Sequence, residues 1–210
     1  RTDSSAASDV YKRQVCEVDD SLYVLVTRSN GTFLEKLTDE DVYLDCHITT
    51  ASTGSSYAGA NGLQSQTVAA VADGTVHADV TVDAKGNFSL SRVSSSTQIG
   101  FNYTSTAKTL PITFQLGNSL VSGEKIRKMF AELQFFKSKS AKVDGRTVPF
   151  RNFGNSLLDD PIAEFTGIKR IRLNGITSQP QVTVTVDEPL PMTLLSLTTE
   201  CKYSTGKFQQ

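Results

Sequence analysis

Apolar and polar residues alternate along much of this chain with a period of two. Val182, Val184 and Val186 alternate with Thr183 and Thr185, the pattern of a strand with one buried face. Val76, Ala78, Val80 and Val82 alternate with Thr75, His77, Asp79 and Thr81, so His77 is expected to face solvent. In a closing strand, Leu195, Leu197, Cys201 and Tyr203 are expected on one face, with Ser196, Thr198, Glu200 and Lys202 on the other. Leu22, Val24 and Val26 oppose Tyr23 and Leu25, so that strand is apolar on both sides. Residues 124–138 are ambiguous. Ile126, Met129, Phe130, Leu133 and Phe136 fit helical spacing, whereas Met129, Ala131, Leu133 and Phe135 fit strand alternation.

Turn signals punctuate this pattern. Asn30-Gly31, Asp73-Gly74, Asp144-Gly145 and Asn174-Gly175 suit the positive φ angles of tight turns. Pro111, Pro189 and Pro191 lack a backbone donor and interrupt any ladder. Residues 51–62 are small and polar and read as a loop or boundary. The expected fold is all-β. Residues 15–50 supply strands of the main β domain. Residues 63–98 form a small β-barrel-like unit, and residues 99–210 a β-sandwich-like closing sheet.

Composition narrows the classes. The chain has 210 residues, 38% of them apolar, with no tryptophan and a formal net charge of -1. That charge creates no global field for nucleic acid or anionic membrane. No apolar run reaches the roughly 18 residues of a membrane helix. Cys16, Cys46 and Cys201 are far apart, show no CxxC spacing and are expected to be free thiols. Cys46 and His47 are adjacent and point oppositely in a strand, which suits no shared metal. No cofactor is expected.

Charge is unevenly distributed. Lys125, Arg127, Lys128, Lys137, Lys139, Lys142, Arg146 and Arg151 stand against Glu132 and Asp144. Glu35, Asp39, Glu40, Asp41 and Asp45 stand against Lys36. Two solvated faces are one reading. The sharper one is a head-to-tail contact between copies, with Asp39, Glu40 and Asp41 meeting Lys125, Arg127 and Lys128. Enzymatic candidates are weaker. Asp159-Asp160 with Glu164 reads as turn chemistry, and a nucleophile paired with His47 or His77 has no support in spacing.

Residues 4–14 read Ser-Ser-Ala-Ala-Ser-Asp-Val-Tyr-Lys-Arg-Gln. This resembles, residue for residue, the translation of the transposase adapter of tagmented sequencing libraries. Residues 1–14 are therefore expected to be an artefact without order, with the natural chain entering near Val15.

Several stretches in order resemble the tail tubular protein B, or tail nozzle, family of short-tailed bacteriophages. They are Phe33-Leu34-Glu35-Lys36, Val71-Ala72-Asp73-Gly74 with Val80-Thr81-Val82, and Ile99-Gly100-Phe101-Asn102-Tyr103-Thr104-Ser105-Thr106. Lys108-Thr109-Leu110-Pro111, Val148-Pro149-Phe150-Arg151, Phe165-Thr166-Gly167 and Glu188-Pro189-Leu190-Pro191-Met192-Thr193 follow. The resemblance favours a long strand over residues 124–138. It implies a non-enzymatic virion protein of the phage tail, longer than this chain. It also implies a homo-oligomeric ring of six subunits. That ring would contact portal and adaptor proteins and tail fibres, and DNA would cross its lumen without sequence-specific binding. Residues 63–93 also resemble a small β domain of ubiquitin-activating enzymes, but no GxGxxG loop accompanies it. The alternative from another class is a secreted carbohydrate-binding or adhesin-type β module.

Overall fold

A computed structural model of the chain describes residues 11–28, 31–38, 41–116, 119–121, 125–151 and 161–203. Among these residues there are strands and turns but no helix. Backbone contacts divide the chain into two units that part after Thr104, and the first also takes in Asp187–Leu190. This boundary lies several residues beyond the expected one at 98–99.

The first unit begins with an antiparallel meander of β1 (Tyr11–Val18), β2 (Ser21–Arg28) and β3 (Gly31–Lys36). β1 includes the last four residues of the adapter-like string, paired with β2, where no order was expected. The β1–β2 turn is Asp19-Asp20, with φ of 49° and 56°. Arg28 pairs with Gly31, so β2 and β3 form the hairpin expected at Asn30-Gly31; Asn30 itself lies outside the described residues.

The rest of this unit is β4 (Asp45–Thr50), β5 (Gly54–Tyr57), β6 (Thr67–Ala72), β7 (Thr75–Thr81), β8 (Phe88–Ser94) and β9 (Thr97–Phe101). One sheet has the order β4-β9-β6-β7, and β5 pairs with β8. Neither closes into a barrel, so the barrel-like expectation is replaced by open sheets. Between them lies a core of Leu63, Val68, Ala70, Val80, Val82, Phe88, Leu90 and Ile99. The expected loop at 51–62 contains β5. Its Tyr57 is buried and stacks on Phe88 with ring centroids 5.2 Å apart. The Tyr57 hydroxyl also reaches Ser94 Oγ at 2.6 Å, so a polar tip is satisfied inside an apolar cluster. β7 carries a bulge between His77 and Val80, opposite Val68 and Ala70 of β6. Along β7 only Val80 of its expected apolar face is buried, while Val76 and Ala78 stay exposed. His77 is half-buried rather than directed freely to solvent.

The second unit contains β10 (Ser105–Lys108), β11 (Phe114–Leu116), β12 (Ser119–Val121), β13 (Ile126–Ser138), β14 (Lys142–Val143) and β15 (Arg146–Thr147). β16 (Phe165–Arg172), β17 (Ile176–Thr177), β18 (Thr183–Val186) and β19 (Thr193–Tyr203) complete it. β13 is a strand of 13 residues, which resolves the ambiguous stretch. It lies between β16 and β19 and runs antiparallel to both. A second sheet has the order β10-β18-β14-β15. Ala131, Leu133 and Phe135 of β13 are buried, as are Val143, Val148, Val182 and Val184. Phe135 meets Phe150 edge-on at 5.2 Å, and Phe150 meets Phe165 at 5.9 Å. β13 bulges between Phe135 and Ser138, where Lys137 has φ of 45°. The extra residue lets Phe136 and Lys137 both face outward while Ser138 returns to the interior. Leu195 sits at a bulge in β19, so it is 56% exposed and leaves the face it was expected to share with Leu197.

Candidate subunit interface

Interface residues must be exposed and must have charge to offer. Of the expected acidic group, Asp41 is exposed, and Asp39 and Glu40 lie outside the described residues. Glu35 is committed to Arg28, with which it forms an ion pair. Arg28 also lies over the rings of Phe33 and Phe101 at 5.8 and 5.6 Å. Asp45 accepts the Cys46 amide at 3.0 Å.

Of the expected basic group, Lys125 and Arg127 are exposed at the start of β13. Lys128 departs from expectation. Its ammonium forms an ion pair with Asp144 and donates to the Gln181 carbonyl at 2.8 Å. It is a tie within the second unit, not part of an open strip. Arg146 donates to the Arg172 carbonyl at 3.0 Å, and Lys139 lies 4.0 Å from Glu164. The strip is thus partly consumed by its own unit.

A constellation that sequence reasoning missed lies on the exposed face of the β16-β13-β19 sheet. Arg170 of β16 lies 4.2 Å over the Phe130 ring of β13. It reaches Glu132 at 3.7 Å and Glu200 of β19 at 2.5 Å. Strand alternation puts all four on one face, and β13 between β16 and β19 brings them together. Phe130, Glu132, Arg170, Thr198, Thr199 and Glu200 line a shallow depression of roughly 300 Å³. These charges are half exposed, so their pairing contributes about 0–1 kcal/mol each.

The enzymatic candidates fall in different places. Asp159 and Asp160 lie outside the described residues, and Glu164 is exposed. His77 Nε2 lies 2.9 Å from Ser91 Oγ, and Nδ1 lies 2.9 Å from the Ala78 carbonyl. That carbonyl can only accept, so Nδ1 carries the proton and Nε2 accepts from Ser91. Neither residue lines the depression, and the pair joins β7 of one sheet to β8 of the other. Among the described residues no group of three or more His, Cys, Asp or Glu is arranged to hold a metal. No described helix is long and apolar enough to cross a membrane.

The three cysteines are free thiols. Burial pushes the Cys46 thiol up to about 12 from an ordinary 9.0, aided by its bond to Glu35. At pH 8 its thiolate is therefore about a thousandfold scarcer than that of an ordinary thiol. Iodoacetamide at pH 8 is expected to alkylate exposed Cys16 first and Cys46 only after unfolding. Peptide mass mapping over time checks this, and equal rates in the folded chain would contradict it. No protein-family model matches the chain, and no curated protein matches it.

Proposed function

We propose that the chain is a structural ring component of a phage tail tube or nozzle, acting in the virion as part of a conduit for DNA. The reading rests on the ordered resemblance to the tail nozzle family. One structural observation supports it: large apolar side chains left exposed on the β16-β13-β19 sheet. Ile168 on β16, Leu195 on β19 and Phe136 on β13 are 65%, 56% and 45% exposed. Exposed apolar residues on unpaired sheets suit a surface that a neighbour covers. The role is architectural: β-sheets held between subunits surround a passage. DNA is not gripped there, because each phosphate contact would slow its transit. Portal, adaptor and tail fibre proteins are its further partners in this reading.

The contact between copies sets exposed Lys125 and Arg127 against the Asp39-Glu40-Asp41 run of the next subunit. Reversing Asp39, Glu40 and Asp41 to lysine should abolish rings in native mass spectrometry and negative-stain images. Adding Lys125→Glu and Arg127→Glu should restore them. Intact rings in the first variant would overturn the contact.

A glycan-binding module is the second reading. The depression around Phe130 has an aromatic ring beside carboxylates and hydroxyls, as sugar sites do. Arg170 covers that ring, where a sugar would stack, and this favours the architectural role.

A further inference from the structure

Among the described residues the β16-β13-β19 sheet has two free edges. Among the described strands β16 and β19 each pair only with β13. Both are antiparallel to β13, so they run parallel to each other. The two edges differ in chemistry. β16 carries Lys169, Arg170 and Arg172. From Thr193 to Thr199, β19 has no charge and no proline. A long uncharged edge is a template for another strand unless something covers it.

We propose that β19 of one copy pairs in parallel with β16 of the next, so that the sheet continues from subunit to subunit. This deepens the ring reading and rests on it. The occupant is a second copy because the first copy's own free edges are complementary. Register through β13 gives the argument. Phe130 faces Arg172 on one side and Glu200 on the other; Gln134 likewise faces Ile168 and Ser196. Glu200 is therefore level with Arg172, and Ser196 with Ile168. All four are exposed on the same face. Joining copies without axial shift sets Glu200 beside the next copy's Arg172. Shifting by two residues sets it beside the next copy's Arg170. Odd shifts would turn buried side chains outward. Both of these registers place Glu200, which Arg170 of its own copy already holds, beside a guanidinium of the next copy on exposed faces.

The contact is heterologous, since one edge meets the other edge and not itself. It closes into a ring or runs on as a filament according to its rotation. Six copies would set about eighteen strands around a centre, and barrels of that order enclose a water-filled channel.

The test introduces cysteines into the full chain with Cys16→Ser as background. Ile168→Cys with Ser196→Cys probes the unshifted register, and Ile168→Cys with Thr198→Cys the shifted one. Within one copy β13 separates these strands, so the pairs lie about 10 Å apart, too far for a disulfide. Mild oxidation followed by a non-reducing gel should give a ladder of trimers and above for one pair, with the single variants giving none. Native mass is measured on the same samples before oxidation. Rings without a ladder in either register would overturn the sheet contact and leave the ring reading standing. Monomers throughout would remove both. Dimers alone, equal to those of a single variant, would show an edge meeting its own counterpart and also overturn the proposal.

Discussion

Replacing Gly100 by alanine is expected to destabilise the first unit by about 3 kcal/mol. The reason is space. The β4–β9 register jumps from Asp45 opposite Phe101 to Ile48 opposite Ile99. Cys46 and His47 are therefore crowded against Gly100, and Cys46 takes φ of 51°. A Cβ at Gly100 would stand 2.7 Å from the Asp45 carbonyl oxygen, 3.0 Å from Leu44 Cβ and 3.1 Å from His47 Cα. Two of these neighbours are backbone atoms and cannot swing aside. Relief would need β4 to move off β9, which would loosen Cys46, Ile48 and Phe101 from the core they flank. Gly145→Ala is the comparison. Nothing lies within 4 Å of a Cβ there, but φ is 76°, so its cost comes only from the left-handed backbone, about 1 kcal/mol. Urea unfolding followed by circular dichroism ranks the two. A Gly100→Ala loss no larger than that of Gly145→Ala would show that the bulge relaxes freely.

Asp144→Ala is expected to cost the second unit about 3 kcal/mol. Asp144 Oδ1 accepts the Thr183 amide at 2.9 Å, and Oδ2 holds the Lys128 ammonium. One carboxylate thus ties the β14–β15 turn to β18 and to β13. The Lys128 and Asp144 side chains are only 12% and 21% exposed, so water does not readily replace a lost partner. Truncating Asp144 leaves the ammonium with the Gln181 carbonyl alone. It also puts alanine at φ of 47°. Lys128→Met should cost less, because its chain can still fill the space. The double variant should be less damaged than the two losses summed, by about 2 kcal/mol. Strict additivity in urea titrations would show that the pair contributes nothing beyond its separate parts.

Local chemistry made much of the fold legible. Asp73-Gly74 and Asp144-Gly145 form the hairpin turns their residues demand, with φ of 50° and 74°, and of 47° and 76°. Val182 and Val184 are buried as their alternation requires. The failures have a common cause in bulges. β13 slips register between Lys128 and Phe130 and again after Phe135. Each slip shifts the apolar spacing away from two, which is why the segment also matched a helix. The bulge at Leu195 spoiled the face assignment of β19 in the same way. β5 was unreadable because Gly54-Ser55-Ser56 has no apolar period, and only its pairing with β8 orders it. The candidate interface was half legible. Exposure of Lys125, Arg127 and Asp41 agrees with their position in charged runs, but nothing near Lys128 in sequence announces Asp144 or Gln181.

What the sequence determined by itself is the all-β class, the tight turns and the buried valines, since these follow from φ preference and period-two alternation over a few residues. Tertiary structure alone decided which charges stay available. Arg170, Glu132 and Glu200 meet because β13 lies between β16 and β19, and Lys128 is withdrawn because β18 and the β14–β15 turn lie across from it. Such meetings join residues 16 to 53 positions apart, and local patterns carry no information about them.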